Sequence, residues 1–241
     1  MSVPRTAVIL AAGEGTRLRP FTLHEPKCFA SVAGRQIIDV ALAALARHGC
    51  RTVRIVTGHL AQRFQETLGT SRHGMALEYL HNAAYRENNS MYSLMMGLEG
   101  LAEPVWVVEG DVVFDDEILS VPEAAFTAWV VDSSGRIQDG CFLTAGEDGR
   151  LESQRIVRPP SRPTPREMKS VGILKIEPQD LDRIRTWLKR GVESGRQNDY
   201  YDLILGDHLR EFAIKAADVA GRRWFEIDTP EDLEAARTLF S

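Results

Sequence analysis

Thr6 to Ala11 (TAVILA) is apolar after its first residue and gives way to Ala12-Gly13-Glu14-Gly15. A run this short, ended by glycines, reads as a buried strand entering a tight loop. Helical apolar spacing follows from Ile37 to Ala46, ended by His48-Gly49, and then a second strand, Val53 to Thr57. His59 to Leu68 reads as a helix stopped by Gly69, and Met75 to Leu80 as a strand. Ser90 to Leu101 reads as a helix capped by Ser90, and Val105 to Val108 as a strand ending in Glu109-Gly110-Asp111. Apolar strands alternating with helices belong in a mostly parallel sheet flanked by helices on both faces, an α/β fold.

The second half reads differently. Ala125 to Val131, Gly140 to Thr144, Arg150 to Val157 and Ser170 to Ile176 look like strands separated by turns, a small β-rich elaboration in the middle of the domain. Arg158 to Arg166 (RPPSRPTPR) is predicted to be an exposed, irregular loop. Helical spacing returns at Gln179 to Lys189 and Tyr200 to Phe212. A last strand, Trp224 to Ile227, leads into a helix opened by Thr229-Pro230-Glu231-Asp232. Nothing repeats and no linker divides the sequence, so 1–241 is expected to form one domain with halves 1–120 and 121–241.

Composition narrows the function. With 241 residues, 44% of them apolar, the protein can bury a sizeable core. A net charge of −5 argues against a nucleic-acid partner. Cys28, Cys50 and Cys141 have no paired spacing, which points to reduced thiols, a cytoplasmic location and no structural zinc. The first apolar run is too short for a signal peptide or a membrane span.

The loop after the first strand is built to approach phosphates: small residues let backbone N–H groups close around oxygens. It lacks the Lys-Ser/Thr ending of a P-loop. Leu18 stands where a dinucleotide fingerprint needs its third glycine, which disfavours a dehydrogenase. Arg17 and Lys27 add two cations suited to a triphosphate. Two carboxylates fall at later strand ends, Asp111 after VWVVEG and Asp228 after WFEI. Ligands of open α/β sheets bind at such ends, and Mg²⁺ takes one or two carboxylates plus phosphate oxygens. Asp115 and Asp116 read as caps of the next helix.

The string LAAGEGTRLRPFTLHEPK resembles the signature of the sugar-phosphate and choline-phosphate nucleotidyltransferases. Gly110-Asp111 is similar to the Gly-Asp motif that lies near the middle of those enzymes, and Glu226-Ile227-Asp228-Thr229 to their C-terminal E-I-D-T motif. The resemblance implies a Rossmann-like, GT-A-type domain with a nucleotide-binding first half and an acceptor-binding second half. It implies Leu10, Ala11, Ala12 and Gly13 at the base and ribose. Gly15, Thr16 and Arg17 would surround the phosphates, with Glu14 and Gly110 among the nucleotide-binding positions. Lys27 would act at the α-phosphate, and Asp111 and Asp228 would hold Mg²⁺.

His81-Asn82 and Tyr85-x-x-Asn88-Asn89-Ser90-x-x-Ser93-Leu94 resemble the version of this segment in bacterial choline-phosphate, aminoethylphosphonate and inositol-phosphate cytidylyltransferases. CTP is therefore the expected nucleotide, with Asn82 reading the pyrimidine edge and Asn89 and Ser93 holding base or ribose. For Asn88 and Ser90 a capping turn is the expected role. Asp199 and Tyr200 match part of the wall that encloses trimethylammonium in choline-phosphate enzymes, a cation–π device. The tryptophan of that wall has no counterpart; Cys141-Phe142 stands in its place, and Trp129 reads as core. Arg155, Arg158, Arg162 and Arg166 favour an acceptor with extra negative charge. Arg155, Asp199, Tyr200 and Glu226 are thus the expected acceptor-binding residues.

The implied reaction is CMP transfer from CTP to a small phosphonate or phosphate, with release of pyrophosphate. Aminoethylphosphonate or phosphonoformate is favoured over choline phosphate. A homodimer is left open. The rivals are a sugar-1-phosphate nucleotidyltransferase using another NTP, and a nucleotide-binding regulatory protein without catalysis.

Overall fold

Strand β1 (Thr6–Ala11) runs through the centre of the molecule, and its side chains divide the core by simple alternation. Ala7 and Ile9 face one side of the sheet, Val8 and Leu10 the other. The computed structural model describes residues 3–123 and 125–241. After β1 come β2 (Ser31–Val32), β3 (Arg35–Gln36), β4 (Thr52–Thr57), β5 (Ser71–Arg72), β6 (Met75–His81) and β7 (Val105–Glu109). The later strands are β8 (Val112–Phe114), β9 (Ala128–Asp132), β10 (Gln138–Ala145), β11 (Leu151–Ser161), β12 (Glu167–Ile176), β13 (Lys215–Asp218) and β14 (Trp224–Glu226). The helices are α1 (Ile37–Arg47), α2 (Ala61–Leu68), α3 (Ser90–Leu98), α4 (Pro178–Glu193), α5 (Tyr201–Gly206) and α6 (Pro230–Leu239).

The central sheet has the order β11-β10-β12-β7-β1-β4-β6-β5, with β9 paired to β12 and β13. Strands β7, β1, β4 and β6 are parallel, as the alternation predicts. The β-rich second half continues the same sheet with antiparallel partners instead of standing beside it. Helices α1 and α2 cover one face through Ile38, Leu42, Leu45, Phe64 and Leu68. Helices α3, α4 and α5 cover the other through Leu94, Leu98, Ile184, Leu188 and Tyr201. Each of these large apolar side chains contributes about 1.5–3 kcal/mol on burial.

Several elements depart from the expectations. The helix expected from His59 begins at Ala61, because Leu60 is left-handed (φ 53°) and the His59 ring is held at the Thr22 carbonyl, 2.8 Å away. Helix α3 ends at Leu98, before the left-handed Gly100. Its cap is Asn89, whose side chain accepts from the Ser90 N–H; the Ser90 hydroxyl accepts from Tyr201 N–H instead. The helix expected over Tyr200 to Phe212 stops at Gly206, and Leu209 and Phe212 reach the core from turns. Arg158 to Ser161 is not irregular: it extends β11. Two prolines are tolerated there because β11 is an edge strand that needs no second ladder of N–H donors. Asp115 and Asp116 cap nothing with their side chains and pair with Arg223 and Arg47. The closing helix follows its predicted start, with a reciprocal capping box between Thr229 and Asp232.

Candidate active site

The C-terminal ends of β1, β6 and β7 open onto one cleft of about 650 Å³. One wall is the loop that follows β1. Gly15 adopts φ 59°, which only glycine reaches without strain, and turns the backbone into a single 3-10 turn over Thr16–Leu18. A Cβ on Gly15 would stand 3.1 Å from the Lys27 Cβ, so the glycine also lets Lys27 pack against the loop. Across the cleft, the Gly110 N–H donates to the Leu10 carbonyl at 2.9 Å, and a side chain at 110 would press on that carbonyl. Asp111 is thereby held beside the loop.

The four charged residues singled out in the sequence meet at this point. The Lys27 ammonium donates to Asp111 at 2.8 Å and to Asp228 at 2.5 Å, and Arg17 lies 2.8 Å from Asp228. Burial pulls the Lys27 ammonium down, but Asp111 and Asp228 more than offset it and hold it above the ordinary lysine value. Burial likewise pushes Asp228 up, yet Lys27 and then Arg17 bring it below the usual carboxylate range. Leu10, Ala11, Ala12, Gly13, Glu14, Gly15 and Thr16 all line the cleft, and Glu14 pairs with Arg86 across its mouth at 3.1 Å.

Asn82, Asn89 and Ser93 also line the cleft, and the side-chain amide of Asn82 is fully engaged with its neighbours. Asn82 and Asn88 exchange side-chain hydrogen bonds in both directions, Asn82 donates a second to Ser93, and Asn89 caps α3.

The cleft also carries a charged cluster of which the sequence reading found only Glu226. Glu109, Lys169, Asp202 and Glu226 converge there, with the Tyr201 hydroxyl donating to Glu109 at 2.7 Å and Lys169 to Glu226 at 2.8 Å. Burial raises Glu109 well above the carboxylate range, and Asp202 adds to the effect. Burial lifts Asp202 to about 7, with Lys169 opposing and Glu226 reinforcing. Glu226 is raised by burial, again against Lys169. The sequence offered one signal for these residues, a charge inside an otherwise apolar element: Lys169 beside SVGIL and Asp202 within YYDLIL.

Of the four expected acceptor residues, Glu226 and Tyr200 line the cleft. Asp199 lies outside it, held by Arg196 at 2.6 Å. Arg155 is also outside, in a two-point pair with Glu167 at 2.5 and 3.0 Å. Arg158 takes the place expected for Arg155: it lines the cleft, 5.9 Å over the Tyr200 ring. Trp129 is core, as expected, with its indole N–H donating to Ser170 at 2.9 Å.

Asp111 and Asp228 are two carboxylates on one lysine, and among the described residues no group of three His, Cys, Asp or Glu side chains is placed to hold a metal ion. The pair still fits a hard divalent cation, because Asp111 Oδ1 is buried without a hydrogen-bond partner and both donors are oxygen. No helix among the described residues is long and apolar enough to cross a membrane.

CMP-5'-(3-aminopropyl)phosphonate synthase of Streptomyces rubellomurinus is 31% identical over 251 residues; the match takes in 100% of this chain and 39% of that protein, so the chain spans well under half of this relative. The 2-aminoethylphosphonate cytidylyltransferase of Lancefieldella rimae is 25% identical over 95% of this chain and 90% of its own. In fold, the CTP:phosphocholine cytidylyltransferase from Streptococcus pneumoniae superposes with a TM-score of 0.82 at 22% identity, covering 98% of this chain and 100% of that one. The pattern of the MobA-like NTP transferase domain matches residues 7–139. That match covers more than half of the sequence and includes the glycine loop, Lys27 and Asp111, and by it the chain belongs to the MobA-like NTP transferase family.

Proposed function

We propose that the protein transfers CMP from CTP to a small phosphonate that carries a primary amine. One observation carries this reading: a single cleft holds the cations Arg17, Lys27 and Arg158 together with a buried group of carboxylates, Glu109, Asp202 and Glu226, beyond the pair Asp111 and Asp228. Arg17, Lys27 and Arg158 suit the triphosphate and the acceptor's phosphonate. Among the described residues Lys169 is the buried cation set against Asp202 and Glu226, and Asp202 Oδ1 has no hydrogen-bond partner. Buried carboxylates in excess favour a cationic ligand that donates hydrogen bonds.

The same wall disfavours a quaternary ammonium. The aromatic rings lining the cleft are Tyr85 and Tyr200, one near its mouth and the other beneath Arg158. Trp129 is fully buried, and the Trp224 face is already met by the Lys169 ammonium at 5.8 Å. A trimethylammonium group finds no ring cage there. The two relatives named for aminoalkylphosphonates support the choice.

In the proposed reaction an acceptor phosphonate oxygen attacks the α-phosphorus of CTP. The new P–O bond forms as the bond to the bridging oxygen of the β-phosphate breaks, and pyrophosphate departs with that electron pair. Catalysis is positioning and charge neutralisation, with no protein nucleophile. Asp111 and Asp228 would hold Mg²⁺, which supplies Lewis-acid stabilisation of phosphoryl charge when bound. Lys27 orients both carboxylates and offers its own charge to the α-phosphate. Arg17 holds Asp228 and faces the phosphates, and the loop from Ala12 to Gly15 keeps the nucleotide against the strand ends.

The test is pyrophosphate release with each of the four NTPs, Mg²⁺ and a panel of 2-aminoethylphosphonate, phosphonoformate, phosphocholine and glucose-1-phosphate. CTP with the aminophosphonate should turn over fastest, and Asp111→Asn or Asp228→Asn should lower kcat by about 10²-fold or more. Preference for another NTP and the sugar phosphate would overturn the reading. CTP binding without turnover on any acceptor would favour a regulatory protein.

A further inference from the structure

We propose that Asn88 is the side chain that meets the nucleobase and that Asn82 is its positioning residue. The inference rests on the proposed use of CTP. Asn82 is 1% exposed and follows β6, where its N–H donates to the Thr57 carbonyl. A primary amide has two N–H donors and one carbonyl oxygen. Asn82 gives one N–H to Asn88 Oδ1 at 2.7 Å and the other to Ser93 Oγ at 3.2 Å, and its Oδ1 accepts from Asn88 Nδ2 at 3.2 Å. Both of its donors are therefore engaged, and breaking them to greet a base would leave buried polar groups unpaired.

Asn88 is different. It lines the cleft and keeps one N–H with no protein partner among the described residues. Its backbone is held in place from both sides: Glu87 N–H donates to Ala84 O at 2.8 Å and Asn89 N–H to Gln197 O at 2.9 Å. The reciprocal pair with Asn82 holds the Asn88 amide in place, Ser93 anchors that pair to α3, and in this arrangement the Asn88 group left over is an N–H. A fixed N–H donor suits N3 of cytosine, which is an acceptor; N3 of uracil carries a hydrogen and opposes it. Asn88 thus supplies a preference for cytosine, and Asn82 sets its direction.

The experiment measures CTP and UTP affinity by calorimetry for the full-length protein with Mg²⁺, in the parent, Asn88→Ala, Asn82→Ala and the double variant. Asn88→Ala should weaken CTP about tenfold while barely changing UTP, as loss of one well-placed hydrogen bond does. Asn82→Ala should do the same, and the double variant should be no worse than either single, since Asn82 acts through Asn88. Two results would overturn the assignment. One is an unchanged CTP:UTP preference in Asn88→Ala; the other is a further loss of about tenfold on adding Asn82→Ala. Should Asn82→Ala fail to fold, Asn88→Ala and Asn88→Asp decide the matter through the preference ratio alone, because a merely structural loss weakens both nucleotides together. A parent that does not prefer CTP refutes the CTP reading itself, and that is visible before any variant is made.

Discussion

Arg155 and Arg158 sit three positions apart on β11, and strand alternation sends them to opposite faces. Arg158 joins Ile156 in the cleft, while Arg155 turns to Glu167 and brings that carboxyl down to about 2. Arg158→Ala should therefore raise the acceptor KM about tenfold or more, as loss of a charge-assisted contact does. Arg155→Ala should leave it unchanged within about twofold, because an exposed ion pair contributes at most about 1 kcal/mol to stability. Steady-state kinetics on the two variants compare them directly. Asp202 makes a second residue-scale prediction. Burial lifts its carboxyl from 3.8 to about 7, and the groups facing it are Lys169, Glu226, Glu109, Tyr201 and Cys141. Between those values the folded protein keeps a proton that the unfolded one has lost, so this group's contribution to stability falls as pH rises from about 4 to about 7. Ionised Asp202 is also the better partner for an ammonium. The KM of an aminophosphonate should therefore fall from about pH 6 to about pH 8. Asp202→Asn should abolish that change and remove the decline in stability; an identical KM profile in the variant would exclude Asp202 from the amine site.

At the scale of elements, the packing of α3 on β1 rests on a missing Cβ. Placed at Gly97, it would lie 2.4 Å from Val8 Cγ1 and 3.4 Å from Val56 Cγ2. Helix propensity alone favours Gly97→Ala by about 1 kcal/mol, but overpacking a filled core costs about 1–3 kcal/mol. The clash is with β-branched side chains on two central strands, so it prevails. Gly97→Ala should lower the thermal midpoint by several degrees, and a stabilised variant would show that α3 can slide. Most elements of the parallel half are legible in the sequence because periodicity is local: β1 and β7 follow apolar runs, and β4 and β6 follow largely apolar ones broken by one charge each. The exceptions are long-range. The apolar spacing after Tyr200 continues beyond Gly206, yet Leu209 and Phe212 are buried from turns; α5 stops at Gly206, where a Cβ would meet the Gln154 side chain of β11. The prolines of Arg158 to Ser161 suggest a loop because nothing in their own sequence reveals that β11 lies at the edge of the sheet.

At the scale of the whole molecule, the cleft draws residues from 10–17, 27–28, 82–93, 109–111, 140–170, 200–202 and 226–228. Filling it ties both halves of the protein together. CTP with Mg²⁺ at a hundred times its Kd should stabilise the fold by about 2.7 kcal/mol, a rise of about 5–10 °C for a protein of this size. Thermal unfolding with and without the nucleotide measures the rise, and Asp228→Asn should remove its Mg²⁺-dependent part. No rise with CTP, and one with another NTP, would reassign the nucleotide. The amino-acid order is enough to specify the parallel half-sheet, the glycine loop, the positions of Lys27, Asp111 and Asp228, and the capped closing helix. Each depends on local periodicity, on backbone freedom at one glycine, or on a motif a few residues long. Three outcomes needed the assembled fold: Arg158 enters the cleft while Arg155 leaves it, Asn88 occupies the Asn82 amide, and Lys169, Asp202 and Glu109 join Glu226 in one buried wall. They depend on which strands pair and which charges lose water together, and both are set by neighbours distant in sequence.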